Sequence, residues 1–492
     1  MKRVLSFDFG ASSGRAMLAE LDGGKIKMKE IHRFSNDPVT VRGTMYWDIL
    51  RLFFEIKNGI TKALAEGGFD AIGIDTWGVD FGLVDGDGRL LANPVHYRDK
   101  RTEGIMERVF RSVPKNEIYG MTGTQCLRIN TLYQLMYLKY SEPELLSRAD
   151  KMLLIPDLFA YMLTGSMRAE ATVASTTNLF DPNTLDWNFE LIDRLGLPRG
   201  IFAPIIQPGD TYGMLSDDIC EELGCPKVPV IAVATHDTAS AVAATPSLSD
   251  DFVYISCGTW SLFGIESRTP ILTDGESGFT NEIGFDGTVR YLKNIMGLWL
   301  IQESRRQWRR EGDDVSFNTL EQEALASEPF RCFVDVDHPM FEAAGNLPER
   351  VCRYCELSGQ YVPQNRGEIM RCIYQSIAMK YKLTFNRLNE QNGGAYHRIN
   401  MLGGGIKDKL LCRMTADATG VEVLAGPTEA TVMGNIAVVY YALGELRGLT
   451  DIRKAVSAST DITRYEPQDS AAWEQAYKTY TEIIAAGKNI AE

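Results

Sequence analysis

The stretch that decides the fold is Arg3-Val4-Leu5-Ser6-Phe7-Asp8-Phe9-Gly10-Ala11-Ser12-Ser13-Gly14-Arg15. Arg3 to Phe9 reads as a strand, Gly10 to Gly14 as a Gly/Ser turn, and Ala16 to Leu21 as a returning strand that turns again at Asp22-Gly23-Gly24. The predicted hairpin tip offers backbone N–H groups unobstructed by bulky side chains, together with the hydroxyls of Ser12 and Ser13. Such a loop can wrap phosphate oxygens. Arg15, just beyond it, is placed to neutralise charge on a transferring phosphoryl group. Asp8 lies within an otherwise apolar strand, where a carboxylate costs free energy unless it has a partner; a hydrated Mg²⁺ is one candidate. The alternative is an ordinary tight turn with a polar strand end.

About half a chain length later the pattern returns. Phe252 to Ser256 reads as a strand, Cys257-Gly258-Thr259-Trp260 as a turn, and Ser261 to Glu266 as the returning strand. Two small-residue hairpins in matching positions suggest a duplication, hence two similar α/β domains facing a central cleft. The boundary is expected within residues 245–251, giving domains over 1–245 and 246–492. Independent origin of the two hairpins is the competing explanation.

Bulk properties agree with two domains, because 492 residues exceed what one compact core supports. Hydrophobic residues at 45% and charged residues at 24% match an ordinary globular protein. The net charge of −14 argues against nucleic acid and anionic lipid as partners. No run of eighteen apolar residues is present to span a bilayer, and Met1 to Gly10 lacks the long apolar core of a leader peptide. A cytoplasmic protein is expected. The nine cysteines are scattered, and only Cys352 and Cys355 have CxxC spacing. With five histidines and no second pair nearby in sequence, no structural metal is expected.

Neither Gly-Lys-Ser/Thr nor a Gly-x-Gly-x-x-Gly turn after a strand occurs, which argues against P-loop and Rossmann nucleotide sites. Gly403-Gly404-Gly405 follows a predicted strand, Arg398 to Leu402, and precedes a helix near Lys409 to Thr419. Three glycines let a backbone approach a base or phosphate closely. Further along the first half, Ala71 to Ile74 is a predicted strand leading to Asp75-Thr76-Trp77-Gly78, and helical spacing appears at Leu132, Leu135, Met136 and Leu138. Pro156 to Thr164 reads as a helix with Gly165 past its end. Val228 to Thr235 suits a buried central strand, with a small-residue helix starting near Asp237. Asp237 reads either as a helix N-cap or as a general base for a sugar hydroxyl; His236 beside it could bond a sugar oxygen.

Together these motifs resemble the FGGY-type carbohydrate kinases, which have an actin-like fold of two ribonuclease-H-like domains. Phe7 to Arg15 is similar to the family's first phosphate-binding hairpin, in the Ala-Ser-Ser-Gly-Arg form of its rhamnulokinase branch. Asp75 to Asp80 and Tyr97 to Arg101 resemble its sugar-side segments; Ile129 to Gln134, Cys257 to Ser261 and Lys293 to Trp299 again look like that branch. Gly403 to Gly405 with Gly426 to Ala430 resembles the adenine-side loop and closing helix. The resemblance implies that Ala11, Ser12, Ser13, Gly14, Arg15, Thr259, Gln302 and Gly404 contact ATP. It likewise implies that Gly78, His236, Asp237, Thr238 and Asn294 contact the sugar, with Asp237 as proton acceptor and Asp8 positioning Mg²⁺. The implied reaction is ATP-dependent phosphorylation of L-rhamnulose at its 1-hydroxyl, in L-rhamnose catabolism. Another ketose, such as L-fuculose or a pentulose, is the nearest alternative. An actin-like nucleotide switch with no sugar acceptor is the alternative from a different class.

Overall fold

A computed structural model describes every residue except 250, 273, 274, 276, 277, 488, 489, 491 and 492. Asp250, within the expected boundary, therefore lies outside the described residues. The chain forms two compact units. The first comprises Met1–Leu248, Glu266–Leu292 and Glu429–Thr460, and the second Ser249–Ile265, Lys293–Thr428 and Asp461–Glu492.

The first unit is built on a six-stranded sheet. Its strands are β1 (Arg3–Phe9), β2 (Ser13–Asp22), β3 (Lys25–Ser35), β4 (Ala71–Thr76), β5 (Thr211–Met214) and β6 (Pro229–Ile231), in the order β3-β2-β1-β4-β6-β5. β1 is antiparallel to β2 and parallel to β4, which is in turn parallel to β6. The hairpin is tighter than the sequence suggests, because Ser13, Gly14 and Arg15 already belong to β2. Gly14 pairs with Phe9 and lies against the Phe34 ring, which fills the space a Cβ would need. That glycine serves packing.

In the second unit the main strands are β7 (Val253–Cys257), β8 (Trp260–Ser267), β10 (Val289–Met296), β11 (Arg398–Leu402), β12 (Glu422–Ala425) and β13 (Thr463–Tyr465). They follow the order β10-β8-β7-β11-β12-β13, with β9 (Phe279–Ile283) beside β10. The partition runs through β10, whose residues Val289–Leu292 count with the first unit, as β9 does. Again the hairpin strands are antiparallel, the next two strands join in parallel, and the last is antiparallel. The hairpin and the two parallel strands beside it thus repeat in both sheets, whereas the antiparallel edge strand precedes its neighbour in the chain in the first (β5 before β6) and follows it in the second (β13 after β12).

The helices used below are α1 (Thr131–Ser141), α2 (Ile155–Thr164), α3 (Asp237–Ala243), α4 (Trp299–Arg310), α5 (Leu347–Leu357), α6 (Arg366–Gln391), α7 (Lys409–Thr419) and α8 (Ala430–Ala442). α2 has Pro156 in its first turn and Gly165 at φ 77° closing it, as its sequence predicts. α8 comes from the second half of the chain but belongs to the first unit. It crosses α3 so closely that a Cβ on Gly434 would overlap the Ser240 carbonyl. Among the described residues no helix is long and apolar enough to cross a membrane.

Candidate active site

The C-terminal ends of β1 and β4 bring two carboxylates side by side, since parallel register pairs Asp8 with Asp75. Asp8 accepts two hydrogen bonds from Arg15, at 2.9 and 2.8 Å, across the antiparallel pair that aligns these residues. Arg15 also forms an ion pair with Glu429 at 2.5 Å. The in-strand aspartate therefore has its partner within the hairpin. The loop is fixed from outside by Asn36, whose N–H donates to the Ser12 carbonyl (3.1 Å) and whose side chain donates to that of Gly10 (2.8 Å). Ala11 and Ser12 are left exposed and Ser13 partly so.

Asp75 is fully buried. Its Oδ2 accepts from Asn435 of α8 at 2.6 Å, while Oδ1 has no hydrogen-bond partner. Burial raises its pKa well above the usual carboxylate range, and the charges of Asp8 and Asp237 push it further. An orphaned buried oxygen beside like charges fits a donor set for a divalent cation.

Asp237 is the first residue of α3. The cap position belongs to His236, so the reading of Asp237 as N-cap is corrected. Its Oδ1 instead accepts from the backbone N–H and hydroxyl of the next residue, Thr238, at 2.5 and 3.0 Å. Loss of hydration raises its pKa and Asp8 adds to this, against the lowering effect of His236; a third (33%) of the side chain remains open to solvent.

The segment before Asp237 differs from the sequence expectation. Regular strand covers Pro229–Ile231 alone, although burial continues through Thr235. Past Ile231 the backbone keeps only scattered bonds, such as those from Ala232 N–H to the Asp210 carbonyl (2.8 Å) and from Thr76 N–H to the Thr235 carbonyl (2.9 Å), and side-chain bonds supplement them. The buried carboxylate of Glu170 accepts from the Thr235 N–H (3.2 Å) and hydroxyl (2.5 Å), and also from Thr172 and Val173. The Thr172 hydroxyl in turn accepts from the His236 N–H at 3.2 Å. Glu170 and Thr172 thus fix the chain that presents His236 and Asp237. Sequence reading gave them no role, because a polar run of alanines and threonines has no periodic signature.

His236 is held from behind. Its Nδ1 lies 3.2 Å from Glu282 Oε2 and 3.1 Å from Arg290 Nη2, and Arg290 donates to Glu282 at 3.0 Å. All three are buried. Burial alone would raise the Glu282 carboxyl, but Arg290 and His236 outweigh it and hold it below its ordinary value. Nε2 points to Asp237, 3.5 Å away.

Gly78 sits close to Thr176, which leaves no room for a Cβ. Val79 adopts φ 66°, a strained conformation for a β-branched residue. It is locked there by bonds from its N–H to Thr176 and from Thr131 and Gln134 of α1 to its carbonyl. Next to it Asp80, fully buried, accepts from Trp47, Trp77, Tyr97 and Gln134. Burial raises its pKa to about 6.

In the second unit, Thr259 donates to Gln302 of α4 at 3.2 Å, joining two residues expected to meet ATP. Of the three loop glycines, Gly403 (φ 83°) and Gly405 press against Cys257 of β7, where side chains would not fit. Gly404 is exposed, with nothing within 4 Å of a Cβ position. Asn294 is half-buried on β10. Within the first unit, then, Asp8, Asp75, His236, Asp237 and Thr238 form one electrostatic group; Thr259 and Gln302 form a pair in the second.

Known proteins bear directly on this arrangement. Residues 3–244 match the N-terminal domain of the FGGY family of carbohydrate kinases, and residues 253–443 its C-terminal domain. A rhamnulokinase of Bacteroides thetaiotaomicron is 41% identical over 480 residues, 97% of this chain and 98% of that protein. A rhamnulokinase of Bacillus subtilis is 38% identical, covering 94% and 95% of the two chains. The fold matches a ligand-bound xylulose kinase of Lactobacillus acidophilus (TM-score 0.85, 18% identity, 99% of both chains). It also matches a Plasmodium falciparum glycerol kinase with ADP (TM-score 0.80, 16% identity, 100% and 99%). With matches over both halves and relatives near 40% identity along almost its whole length, the chain belongs to the FGGY family of carbohydrate kinases and is a sugar kinase of mixed α/β, actin-like fold.

Proposed function

We propose that this kinase transfers the γ-phosphoryl group of ATP to the 1-hydroxyl of L-rhamnulose, giving L-rhamnulose 1-phosphate and ADP, as a cytoplasmic enzyme of L-rhamnose catabolism. The observation that carries the reading is Asp237, held at the head of α3 with a raised pKa and a third of its side chain accessible. The rhamnulokinases it resembles supply the choice of ketose.

In this reading Asp237 accepts the proton of the attacking hydroxyl. A carboxylate whose pKa is raised is a stronger base toward that proton. His236 and Thr238 bond the sugar, with Gly78 and Asn294. Ala11 to Arg15 contact the phosphates, and Thr259, Gln302 and Gly404 the rest of the nucleotide. Asp8, with Asp75, would hold Mg²⁺, which supplies positive charge against the phosphate oxygens.

An ADP-release assay against L-rhamnulose, L-fuculose, L-ribulose, D-xylulose and glycerol tests this. Preferential turnover of L-rhamnulose is expected. Preference for another ketose would overturn the substrate, and ATP hydrolysis independent of any sugar would overturn the acceptor chemistry.

A further inference from the structure

One buried carboxylate of the first unit has no part in the phosphoryl transfer described above. Asp80 Oδ2 accepts from the indole N–H of Trp47 (2.6 Å), the indole N–H of Trp77 (3.1 Å) and the backbone N–H of Tyr97 (3.2 Å). Its Oδ1 accepts from Gln134 of α1 at 3.0 Å. The Gln134 amide is oriented by Arg101, which donates to its oxygen at 2.6 Å, so its nitrogen faces Asp80 and the carbonyls of Val79 and Ile129. The donors come from four separate stretches of chain, and together they offset the cost of burying the charge.

Around this carboxylate the aromatic rings form a row. Trp47 lies against both Trp77 and His96, with ring centroids 4.1 and 4.2 Å apart, and His96 lies 4.5 Å from Tyr97. Trp47, Trp77 and His96 are buried, whereas Tyr97 at the end of the row is partly open. Both ends meet the segment that carries Asp237. Thr76, immediately before Trp77, donates its N–H to the Thr235 carbonyl at 2.9 Å and bridges to His236. Gly78 and the strained Val79 follow Trp77 directly. At the other end, Tyr97 is within electrostatic reach of Asp237.

We propose that Asp80 is a positioning residue for the ketose, whose carboxylate locks Trp77, Gly78 and Val79 against Tyr97 and so sets the pocket wall that distinguishes one ketose from another. The proposal rests on the sugar-kinase reading above. Stereoisomeric ketoses differ only in the direction of their hydroxyl groups, so a site tells them apart through polar contacts held in fixed places. Bonds to an ionised acceptor are the short, strong kind that can hold such a wall. Burial pushes the Asp80 carboxyl up to about 6 against the restraint of the Trp47, Gln134 and Trp77 donors, which leaves it chiefly ionised at neutral pH. An asparagine in its place has one oxygen and one N–H₂ group. Whichever way that amide turns, it sets a donor against the Gln134 nitrogen or against the indoles, so part of the lock is lost.

Asp80→Asn and Trp47→Phe are prepared in the full chain, and kinetics with L-rhamnulose, L-fuculose and ATP are compared with wild type. Asp80→Asn should raise KM for L-rhamnulose about 10- to 100-fold, the loss expected when bonds to a charged acceptor go, with KM for ATP unchanged. It should also narrow the kcat/KM preference for L-rhamnulose over its stereoisomer L-fuculose. Trp47→Phe removes the shortest of the four bonds but keeps a ring in the row, and should move the same two quantities in the same direction by a smaller factor. Unchanged ketose KM and unchanged selectivity in Asp80→Asn would overturn the proposal. So would a parallel rise in KM for ATP, which marks general loosening. Where Asp80→Asn does not fold, Trp47→Phe decides by the same criteria. The wild-type ketose preference is measured first: if it falls on another ketose, the substrate reading fails, and the criteria are applied to that ketose and its stereoisomer.

Discussion

The two sheets share an antiparallel hairpin joined to two parallel strands, yet the strand ends beside the hairpin differ in charge. At the end of β1 the facing residues are Asp8 and Asp75. At the corresponding place two residues before the hairpin glycine, β7 has Ser256, which pairs with Leu402 of β11. One copy gathers carboxylates where parallel strands end; the other offers glycines and hydroxyls. Ligand sites in open α/β sheets form at such strand ends. The first unit thus carries carboxylates at its strand ends, and the second carries open backbone at its glycine loop.

That contrast breaks most sharply at Asp237. Asp237→Asn removes the proton acceptor, and turnover should fall about 10²–10⁴-fold, with ATP affinity by calorimetry unchanged. Near-normal kcat would remove Asp237 as the base. Asp75→Asn separates stability from activity. The folded pKa of Asp75 is raised, so between the unfolded and folded values the native state binds more protons than the unfolded state. Its contribution to stability therefore declines as pH rises above the unfolded carboxylate value. The asparagine variant should lose activity, melt higher than wild type at neutral pH, and show a weaker decline of Tm from pH 4 upward. A lower Tm at neutral pH would mean that a partner other than the protein's own groups compensates that charge.

Glu282→Gln tests the support of His236. Its folded pKa is lowered, so it stabilises the protein above the unfolded carboxylate value and this is lost as pH falls below it. The variant leaves Arg290 buried without its counter-charge, a loss of about 3–5 kcal/mol. It should flatten the acid side of the Tm profile and raise KM for the ketose more than for ATP. Equal effects on both substrates would indicate general loosening instead.

The core of each hairpin and the helix signals of α2 and α3 were legible because turn glycines, apolar strands and a proline-to-glycine frame act locally. Asp8, Asp237 and the glycine loops stood out in the sequence for the same reason, and the structure sets Asp8 and Asp237 within electrostatic reach of each other. Glu170, Glu282 and Arg290 were not, since they act through partners 65, 46 and 54 positions away respectively, and a lone acid has no sequence signature. The grouping of Cys355 on α5 with Cys372 on α6 escaped because the CxxC pair directs attention to Cys352, whereas helix packing selects Cys372. The strained Val79 is likewise invisible locally, being imposed by Thr176 and α1.

The smallest effect tests the neutral copy. Gly403-Gly404-Gly405 reads as one ligand loop, but the structure divides it. A Cβ on Gly405 would meet the Cys257 sulfur and carbonyl, so Gly405→Ala should destabilise the second unit by about 1–3 kcal/mol through overpacking. Gly404 has open space and needs no left-handed backbone. Gly404→Ala should leave stability within about 0.5 kcal/mol of wild type and raise KM for ATP without touching that for the ketose. Paired melting curves and KM values therefore distinguish a glycine required by neighbouring backbone from one required by a nucleotide. If Gly404→Ala leaves both KM values unchanged, the exposed glycine faces solvent and takes no part in holding ATP.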